Sequence, residues 1–121
     1  MIWEPITLEK LYDEILRAEE GMRGELLRFW ELIKIFPEKW AQESYGKEGG
    51  GFWVVAVCGR RIIWYNDIEE GFNISLYQRY GEFEEYWCNQ DGLQWPVKQM
   101  LSIIKFGGEL KGGFGPPQNI Q

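Results

Sequence analysis

The sequence predicts an α+β fold: a four- to five-stranded antiparallel meander sheet with two N-terminal helices and one C-terminal helix packed on one face. Apolar residues recur at helical spacing in the first third and again near the end of the chain. Between these segments lie a continuous apolar run and alternating stretches joined by short turns. Short turns indicate antiparallel neighbours, because parallel strands need long crossovers. Segregation of helices from strands is typical of the α+β class.

The first third of the chain predicts two short helices or one kinked helix. Thr7 is a suitable N-cap, and Glu9 lies in the first turn, where the helix dipole favours negative charge. The apolar stripe of this segment is formed by Leu8, Leu11, Tyr12, Ile15 and Leu16. After a break at Glu20-Gly21 the stripe resumes with Leu26, Phe29, Trp30 and Ile33. Pro37 predicts a helix end near Phe36, since the residue before proline avoids helical backbone.

The middle of the chain predicts a β-hairpin. Phe52–Cys58 is apolar throughout, as expected for a strand covered on both faces. Gly59-Arg60 is a two-residue turn with glycine first, and residues 61–65 form the returning strand. Before the hairpin, residues 39–45 predict an edge-like strand, with a helical turn as the alternative. Residues 46–51 predict a flexible connection.

Two more strands and a helix complete the predicted fold. Alternation predicts a half-buried strand over residues 72–77, with Phe72, Ile74 and Leu76 on one side and Asn73, Ser75 and Tyr77 on the other. A similar alternation over residues 83–88 predicts the last strand. The final helix has Pro96 in its first turn, Gly107 at its end and an apolar stripe at Val97, Met100, Leu101 and Ile104. We expect a single domain over residues 1–107 and a flexible Gly/Pro-rich tail over residues 108–121.

The chain is unusually rich in aromatic residues, with seven Trp, seven Phe and six Tyr among its 121 residues. Each such ring buries about 150–250 Å². Ordering a domain of this length costs on the order of 100–200 kcal/mol of conformational entropy, so most of the rings are needed for the core. Few of them are expected to be left for a ligand.

The charge and the ends of the sequence argue against several classes of partner. A formal charge of −6 opposes binding to nucleic acid or to anionic membranes, and Arg60-Arg61 is the longest basic run. No apolar stretch reaches the roughly 18 residues of a membrane span. Residues 1–5 lack the basic start and apolar run of a signal peptide. Two cysteines do not make a disulfide framework, so the sequence predicts a reduced, cytoplasmic protein.

The absence of histidine restricts the chemistry that the chain can perform. It excludes Ser-His-Asp and Cys-His catalysis and His-ligated zinc. Cys58 and Cys88 are too few for a structural zinc site and are not arranged as Cys-x-x-Cys, so we expect buried thiols on strands. No metal and no cofactor are expected.

Two polar connections superficially match known ligand loops. Aligning Gly71 with the invariant glycine of a calcium-binding EF-hand loop puts Ile68 and Tyr77 where oxygen ligands are required. The glycines of residues 46–51 lack the order of a phosphate-binding loop and precede a strand rather than a helix. The first segment is interpreted as a solvated turn and the second as a flexible hairpin connection.

Aromatic rings followed by polar side chains occur at the ends of two predicted strands, over residues 64–67 and 86–91. Rings beside amides and carboxylates suit a protein partner or a polar small molecule such as a sugar. The residues that we predict to contact it are Trp64, Tyr65, Asp67, Trp87 and Asn89. The alternative is that the rings belong to the core and the polar groups form turns.

The same two segments carry a resemblance to a protein family. Residues 64–73 (WYNDIEEGFN) and residues 86–90 (YWCNQ) resemble a small family of uncharacterised proteins found mainly in cyanobacteria, over residues 40–105. The resemblance implies an α+β domain in a bacterial cytoplasm. It implies no activity, cofactor or catalytic residue.

Three functional hypotheses follow. The first is a non-enzymatic domain that binds another protein or itself, including as a homodimer. The second is a domain that binds a small polar ligand at the five residues named above. The third is a carboxylate-dependent hydrolase, which would need two acidic side chains in one cleft, drawn from Asp67, Glu69, Glu70, Glu82, Glu84 and Glu85.

Overall fold

The computed structural model describes residues 4–43 and 50–107. Within these ranges the chain forms, in order, α1 (Leu8–Glu20), α2 (Gly24–Ile33), β1 (Lys34–Gln42), β2 (Phe52–Cys58), β3 (Arg61–Asn66), β4 (Gly71–Leu76), β5 (Glu82–Phe83) and α3 (Gln94–Phe106). The predicted α+β class is confirmed, and so are two helices before the sheet and one after it. The predicted tail over residues 108–121 and residues 44–49 lie outside the described residues.

The strands form one sheet in the order β4-β3-β2-β1-β5. The β1–β2, β2–β3 and β3–β4 pairs are antiparallel, as predicted. The short β5 is parallel to β1, through Ala41 opposite Glu82 and Gln42 opposite Phe83. The prediction of a purely antiparallel meander is therefore wrong for this strand. After β4 the chain crosses a face of the sheet and reaches the far side, instead of turning back beside β4.

The N-terminal helices follow the predicted caps but not the predicted end. The Thr7 hydroxyl accepts a hydrogen bond from the Lys10 amide at 3.2 Å, and Gly21 ends α1. Helix α2 ends at Ile33 rather than near Phe36, because Lys34 is already extended and begins β1. Pro37 thus lies in a strand, within an irregular stretch of pairing between Lys34 and Glu38, where a missing N–H is tolerated.

The remaining predicted elements differ in how closely they agree with the structure. The hairpin of β2 and β3 is confirmed, with Gly59 at a φ of 60° in its turn. Helix α3 is confirmed as well and ends at Gly107. The strand predicted over residues 39–45 is longer at its start and begins at Lys34. It is not an edge along its C-terminal end, because β5 pairs there.

Apolar side chains pack on both faces of the sheet. One face is covered by all three helices, whose buried residues include Leu11, Ile15, Trp30, Val97 and Met100. The opposite face has its own cluster, formed by Trp40, Phe52, Val54, Ile62, Trp64 and Phe83. The helices therefore lie on one face, as predicted, and something other than a helix covers the second.

That second cover is the segment of residues 84–91, which we call the strap. The last strand was predicted over residues 83–88, but only Glu82–Phe83 pairs as a strand. Cys88 consequently lies in the strap, whereas Cys58 is in β2 as predicted; both thiols are half-buried rather than buried. The strap also buries Asn73 and Ser75, so β4 is covered on both faces rather than half-buried. In the part of the chain that the structure describes, no helix has the length and apolar character needed to cross a membrane.

Candidate functional site

The strap is attached to the sheet mainly by side chains. Four buried polar residues each donate a hydrogen bond to a backbone carbonyl of the strap. Gln42 donates to Glu84 at 2.8 Å, Ser75 to Glu85 at 3.1 Å, Asn66 to Trp87 at 2.8 Å and Asn73 to Asn89 at 3.3 Å. Asn73 also accepts from the Asn89 amide at 3.0 Å. These side chains take the place of strand pairing and fix the position of the strap.

Trp64 and Tyr65 are neighbours in β3 and so point to opposite faces of the sheet. Trp64 is fully buried on the strap side, where its ring centroid lies 4.8 Å from that of Phe52 and 4.9 Å from that of Phe83. Its indole N–H donates to the Ser75 hydroxyl at 2.9 Å. Tyr65 packs in the cluster on the helix side. The structure does not bring these two predicted contact residues to one surface.

Asp67 lies near Tyr65, in the turn after β3. One of its carboxylate oxygens accepts a hydrogen bond from the Ile6 amide at 2.8 Å, which ties the start of the chain to this turn. Burial, followed by the charges of Glu14, Glu70 and Asp67, raises the pKa of Tyr65 to about 12. Asp67 and Tyr65 therefore share an electrostatic environment on the helix side.

Trp87 and Asn89 are half-buried residues of the strap. The indole N–H of Trp87 donates to the Glu85 carboxylate at 3.4 Å. The sequence did not indicate that Asn66 would connect this region to the turn after β3. Its side-chain oxygen accepts from the Ile68 amide at 3.0 Å while its amide nitrogen binds the Trp87 carbonyl. The sequence feature that could have indicated this role is an asparagine at the end of an otherwise apolar strand.

The described part of the chain contains a groove of about 640 Å³ beside residues 77–83, the segment that joins β4 to the strap and includes β5. We call it the Ω-loop groove, because the ends of the loop meet where the Leu76 amide donates to the Glu85 carboxylate at 2.8 Å. Its lining includes the polar side chains of Gln42, Glu43, Arg60, Tyr77, Gln78, Arg79, Glu82, Glu84 and Glu85 beside the apolar ones of Ala41, Leu76 and Phe83.

Several contacts shape this groove. The Tyr77 hydroxyl donates to the Gly59 carbonyl at 2.8 Å, and Arg79 forms an ion pair with Glu82 at 3.4 Å. The groove is lined by none of the five predicted contact residues. Three of the six acidic residues considered for hydrolysis line it, and the three in the β3–β4 turn do not. Over residues 4–43 and 50–107, no cluster of three or more acidic or cysteine side chains is arranged to hold a metal ion.

A second surface lies where α2 runs into β1. We call it the α2–β1 corner and define it by the exposed residues of this junction, Glu31, Leu32, Lys34 and Phe36. Leu32 and Phe36 are 83% and 86% exposed, the two highest values among the large apolar residues described. Phe36 lies in the irregular stretch of pairing between Lys34 and Glu38. The corner thus presents two apolar side chains to solvent.

Hydrogen bonds and an ion pair hold two charged residues of β1, Lys34 and Glu38. The Glu19 carboxylate accepts from the Trp30 indole at 2.7 Å and pairs with the Lys34 ammonium at 3.4 Å. The Glu38 carboxylate accepts from the Trp40 indole at 3.1 Å and from the Tyr80 hydroxyl at 2.9 Å. The second of these bonds raises the pKa of Tyr80 above its usual value.

Comparisons with protein-family models, with curated proteins and with solved structures found no match. The resemblance carried by residues 64–73 and 86–90 stays a prediction. The functional proposals below therefore depend on the geometry of this chain alone.

Proposed function

We propose that this chain is a non-enzymatic domain that binds a protein partner through the α2–β1 corner. The observation that carries the proposal is the exposure of Leu32 and Phe36 on adjoining elements. Phe36 follows Leu32 by four positions, so their Cα atoms are at most about 14 Å apart. Two large apolar side chains this close together, with charged residues around them, match the apolar centre and polar rim of a protein interface.

The use of the other aromatic residues supports this assignment. Trp30, Trp40, Trp64, Phe52 and Phe72 are buried in the two clusters and stabilise the fold. Phe36 contributes little to either cluster, since most of its surface faces water. An exposed phenylalanine of this kind gains free energy when a partner covers it, by about 25 cal/mol for each Å² of apolar surface removed from water.

The proposal places the domain in the cytoplasm. Cys58 and Cys88 are both free thiols in the described chain, and thiols persist in a reducing compartment. The partner is expected to be a protein of the same compartment.

Site-specific photo-crosslinking in cells tests the proposal. A photoactivatable phenylalanine analogue at position 36 is expected to give a covalent adduct with a protein, because the side chain lies at the contact. The same analogue at position 104, an exposed isoleucine on α3, serves as the matched control. Equal yields of adduct at positions 36 and 104, or none at either, would contradict binding through the corner.

The Ω-loop groove favours a second candidate function, the binding of a small polar ligand such as a sugar. Its volume of about 640 Å³ is within the range of ligand sites in proteins, roughly 300–1,000 Å³. Guanidinium, amide, phenol and carboxylate groups from its lining would provide both donors and acceptors for hydroxyl groups. This location differs from the one predicted from the sequence.

Saturation-transfer NMR with a panel of mono- and disaccharides tests this second candidate. Arg79→Ala is expected to reduce the transfer signal at least about threefold, since it removes a lining guanidinium. Arg17→Ala is the matched control, because Arg17 also forms an exposed pair with an acidic residue three positions away, at 3.1 Å from Glu14. If no sugar gives a signal, or both variants lose it equally, the groove is not a sugar site.

A further inference from the structure

We propose that the ligand of the Ω-loop groove is a cationic sugar, in which a protonated amine replaces a hydroxyl group. This inference rests on the second candidate function and specifies the chemical class of the ligand. Three observations support it: the charges that line the groove, the places of the charged residues in the fold, and the contacts that some of them already make.

The charged part of the lining is mostly acidic. Among the described residues, four glutamates and two arginines line the groove: Glu43, Glu82, Glu84 and Glu85 against Arg60 and Arg79. One residue of each kind is already paired, since the Arg79 guanidinium lies 3.4 Å from the Glu82 carboxylate. The other three carboxylates outnumber the one remaining guanidinium, so the groove attracts a positive charge more strongly than a negative one.

The carboxylate of Glu85 is bound within the fold. It accepts hydrogen bonds from the Leu76 amide at 2.8 Å and from the Trp87 indole at 3.4 Å. These two donors hold the carboxylate where the ends of the loop meet. We therefore expect Glu85 to shape the groove and not to bind the amine of the ligand.

Glu43 and Glu84 are the two carboxylates that we expect to bind the amine. They directly follow Gln42 and Phe83, the last paired residues of the parallel strands β1 and β5, and the Glu43 amide still donates to the Phe83 carbonyl at 3.3 Å. Both residues are exposed, and neither forms an ion pair with another described residue. Like charges on neighbouring strands repel each other, so a cation bound at this end of the groove reduces that repulsion.

Arg60 belongs to a different part of the groove, the turn between β2 and β3. Its Nε donates to the Tyr77 carbonyl at 3.5 Å, and the Tyr77 amide donates to the Arg60 carbonyl at 2.9 Å. The other N–H groups of this guanidinium can donate to the hydroxyl groups of a sugar. The amine is therefore expected at Glu43 and Glu84, with the hydroxyl groups directed to Arg60 and Tyr77.

Titrations of the full chain, followed by its amide NMR spectrum, test the inference. The probes are glucosamine, glucose and glucuronate, which share a pyranose ring and differ in charge. At about pH 6 the amine is protonated and the carboxylates are ionised. We expect glucosamine to bind about tenfold more tightly than glucose, and glucuronate to bind more weakly than glucose. Salt at about 0.5 M should reduce the advantage of glucosamine, because it screens exposed charges.

Glu43→Gln and Glu84→Gln locate the charge that is recognised. Each variant is expected to weaken glucosamine binding about threefold and to leave glucose binding unchanged, because it removes a charge and keeps the length of the side chain. Glu20→Gln removes the same charge from an exposed residue at the end of α1 and should change the binding of neither sugar. Both groove positions are exposed, and the amide spectrum of each free variant establishes that it is folded.

Tighter binding of glucosamine that the two groove variants weaken supports the inference. Equal affinities for glucosamine and glucose overturn the cationic ligand and leave sugar binding in the groove intact. A preference for glucosamine that both groove variants retain, or that Glu20→Gln lowers as much as they do, also overturns it, since the charge is then recognised elsewhere. If none of the three sugars shifts the spectrum, the second candidate function fails and this inference fails with it.

Discussion

Gln42, Asn66, Asn73 and Ser75 are as buried as the aliphatic residues beside them, and each donates a hydrogen bond to the strap. The strap has irregular backbone, so many of its carbonyls lack the partners that a sheet would give them. A buried carbonyl without a partner costs free energy, and these side chains remove that cost. The polar residues of this face therefore contribute to stability rather than to solubility.

Asn73→Ala tests this role, because it removes one donor and one acceptor that bind the Asn89 backbone. We expect the free energy of unfolding to fall by about 1–3 kcal/mol, measured by urea denaturation. Asn89→Ala also replaces an asparagine side chain by alanine, but it keeps the backbone amide and carbonyl that bind Asn73. It is therefore expected to alter the free energy of unfolding by less than about 0.5 kcal/mol. Equal losses in the two variants would show that the side chain of Asn73 is not what holds the strap.

The Tyr65 phenol predicts a loss of stability at alkaline pH. Its pKa is about 12 in the folded chain, against 10.0 for an unperturbed tyrosine. The folded state thus keeps a proton that the unfolded state releases, and its stabilisation is complete below pH 10 and is lost as the pH rises from 10 to 12. We expect the urea midpoint to fall over this interval and Tyr65→Phe to reduce that fall. An identical pH dependence in the variant would contradict the shifted pKa.

At the scale of elements, local patterns in the sequence predicted what local interactions determine. The continuous apolar run from Phe52 to Cys58, the Gly59 turn and the Thr7 cap all depend on residues close together in the chain, and all three are confirmed. The end of α2 was predicted wrongly, because the apolar residues Ile35 and Phe36 continue the helical pattern while the sheet recruits them into β1. Pairing with β2 overrides that local preference.

Such local patterns could not predict the strap or the parallel pairing of β5. The alternation over residues 83–88 is typical of a strand. The backbone carbonyls of this segment, however, accept hydrogen bonds from side chains that lie up to 42 residues away in the sequence, such as Gln42. A polar residue at an alternating position is normally interpreted as facing water, which is how Asn73 and Ser75 were placed on an exposed face. For the candidate site, the sequence singled out residues of β3, of the turn after it and of the strap, and three acidic residues that line the Ω-loop groove. It did not indicate the groove itself or the exposure of Leu32.

The close approach of β4 to the strap gives a prediction at this scale. A Cβ atom at Gly71 would overlap the Asn89 carbonyl oxygen and the Gln90 backbone. We expect Gly71→Ala to destabilise the fold by about 1–3 kcal/mol, because backbone atoms of the strap must move. Gly21→Ala is the matched control, since a Cβ there makes only ordinary contact with the Ala18 carbonyl at 3.6 Å. Thermal denaturation compares them, and similar midpoints would contradict a tight contact at Gly71.

For the whole molecule, the two faces of the sheet are stabilised in different ways. Three helices cover one face with apolar side chains, whereas an irregular segment covers the other through side-chain hydrogen bonds. Opening the strap breaks few contacts with the helices. The two sides are therefore expected to differ in local stability.

Native-state hydrogen exchange measures that difference. We expect amides of β2 and β3 to exchange only by global unfolding, since both strands are paired on both sides. The Asn89 amide, which is bound to the Asn73 side chain, is expected to exchange through a smaller local opening, at lower free energy. The same exchange free energy for both sets would mean that the strap unfolds only together with the sheet.

The margins of the sheet have a further consequence for behaviour at high concentration. An apolar hairpin such as β2–β3 would template fibre growth if a neighbouring molecule could add to it. On one margin the Phe72 amide is bound to the Asp91 carbonyl and the Leu76 amide to the Glu85 carboxylate. On the other, β5 occupies the end of β1, and Pro37 interrupts the rest. The chain thereby keeps its most amyloid-like sequence in the interior, shielded from the ordered stacking that would convert it to fibrils.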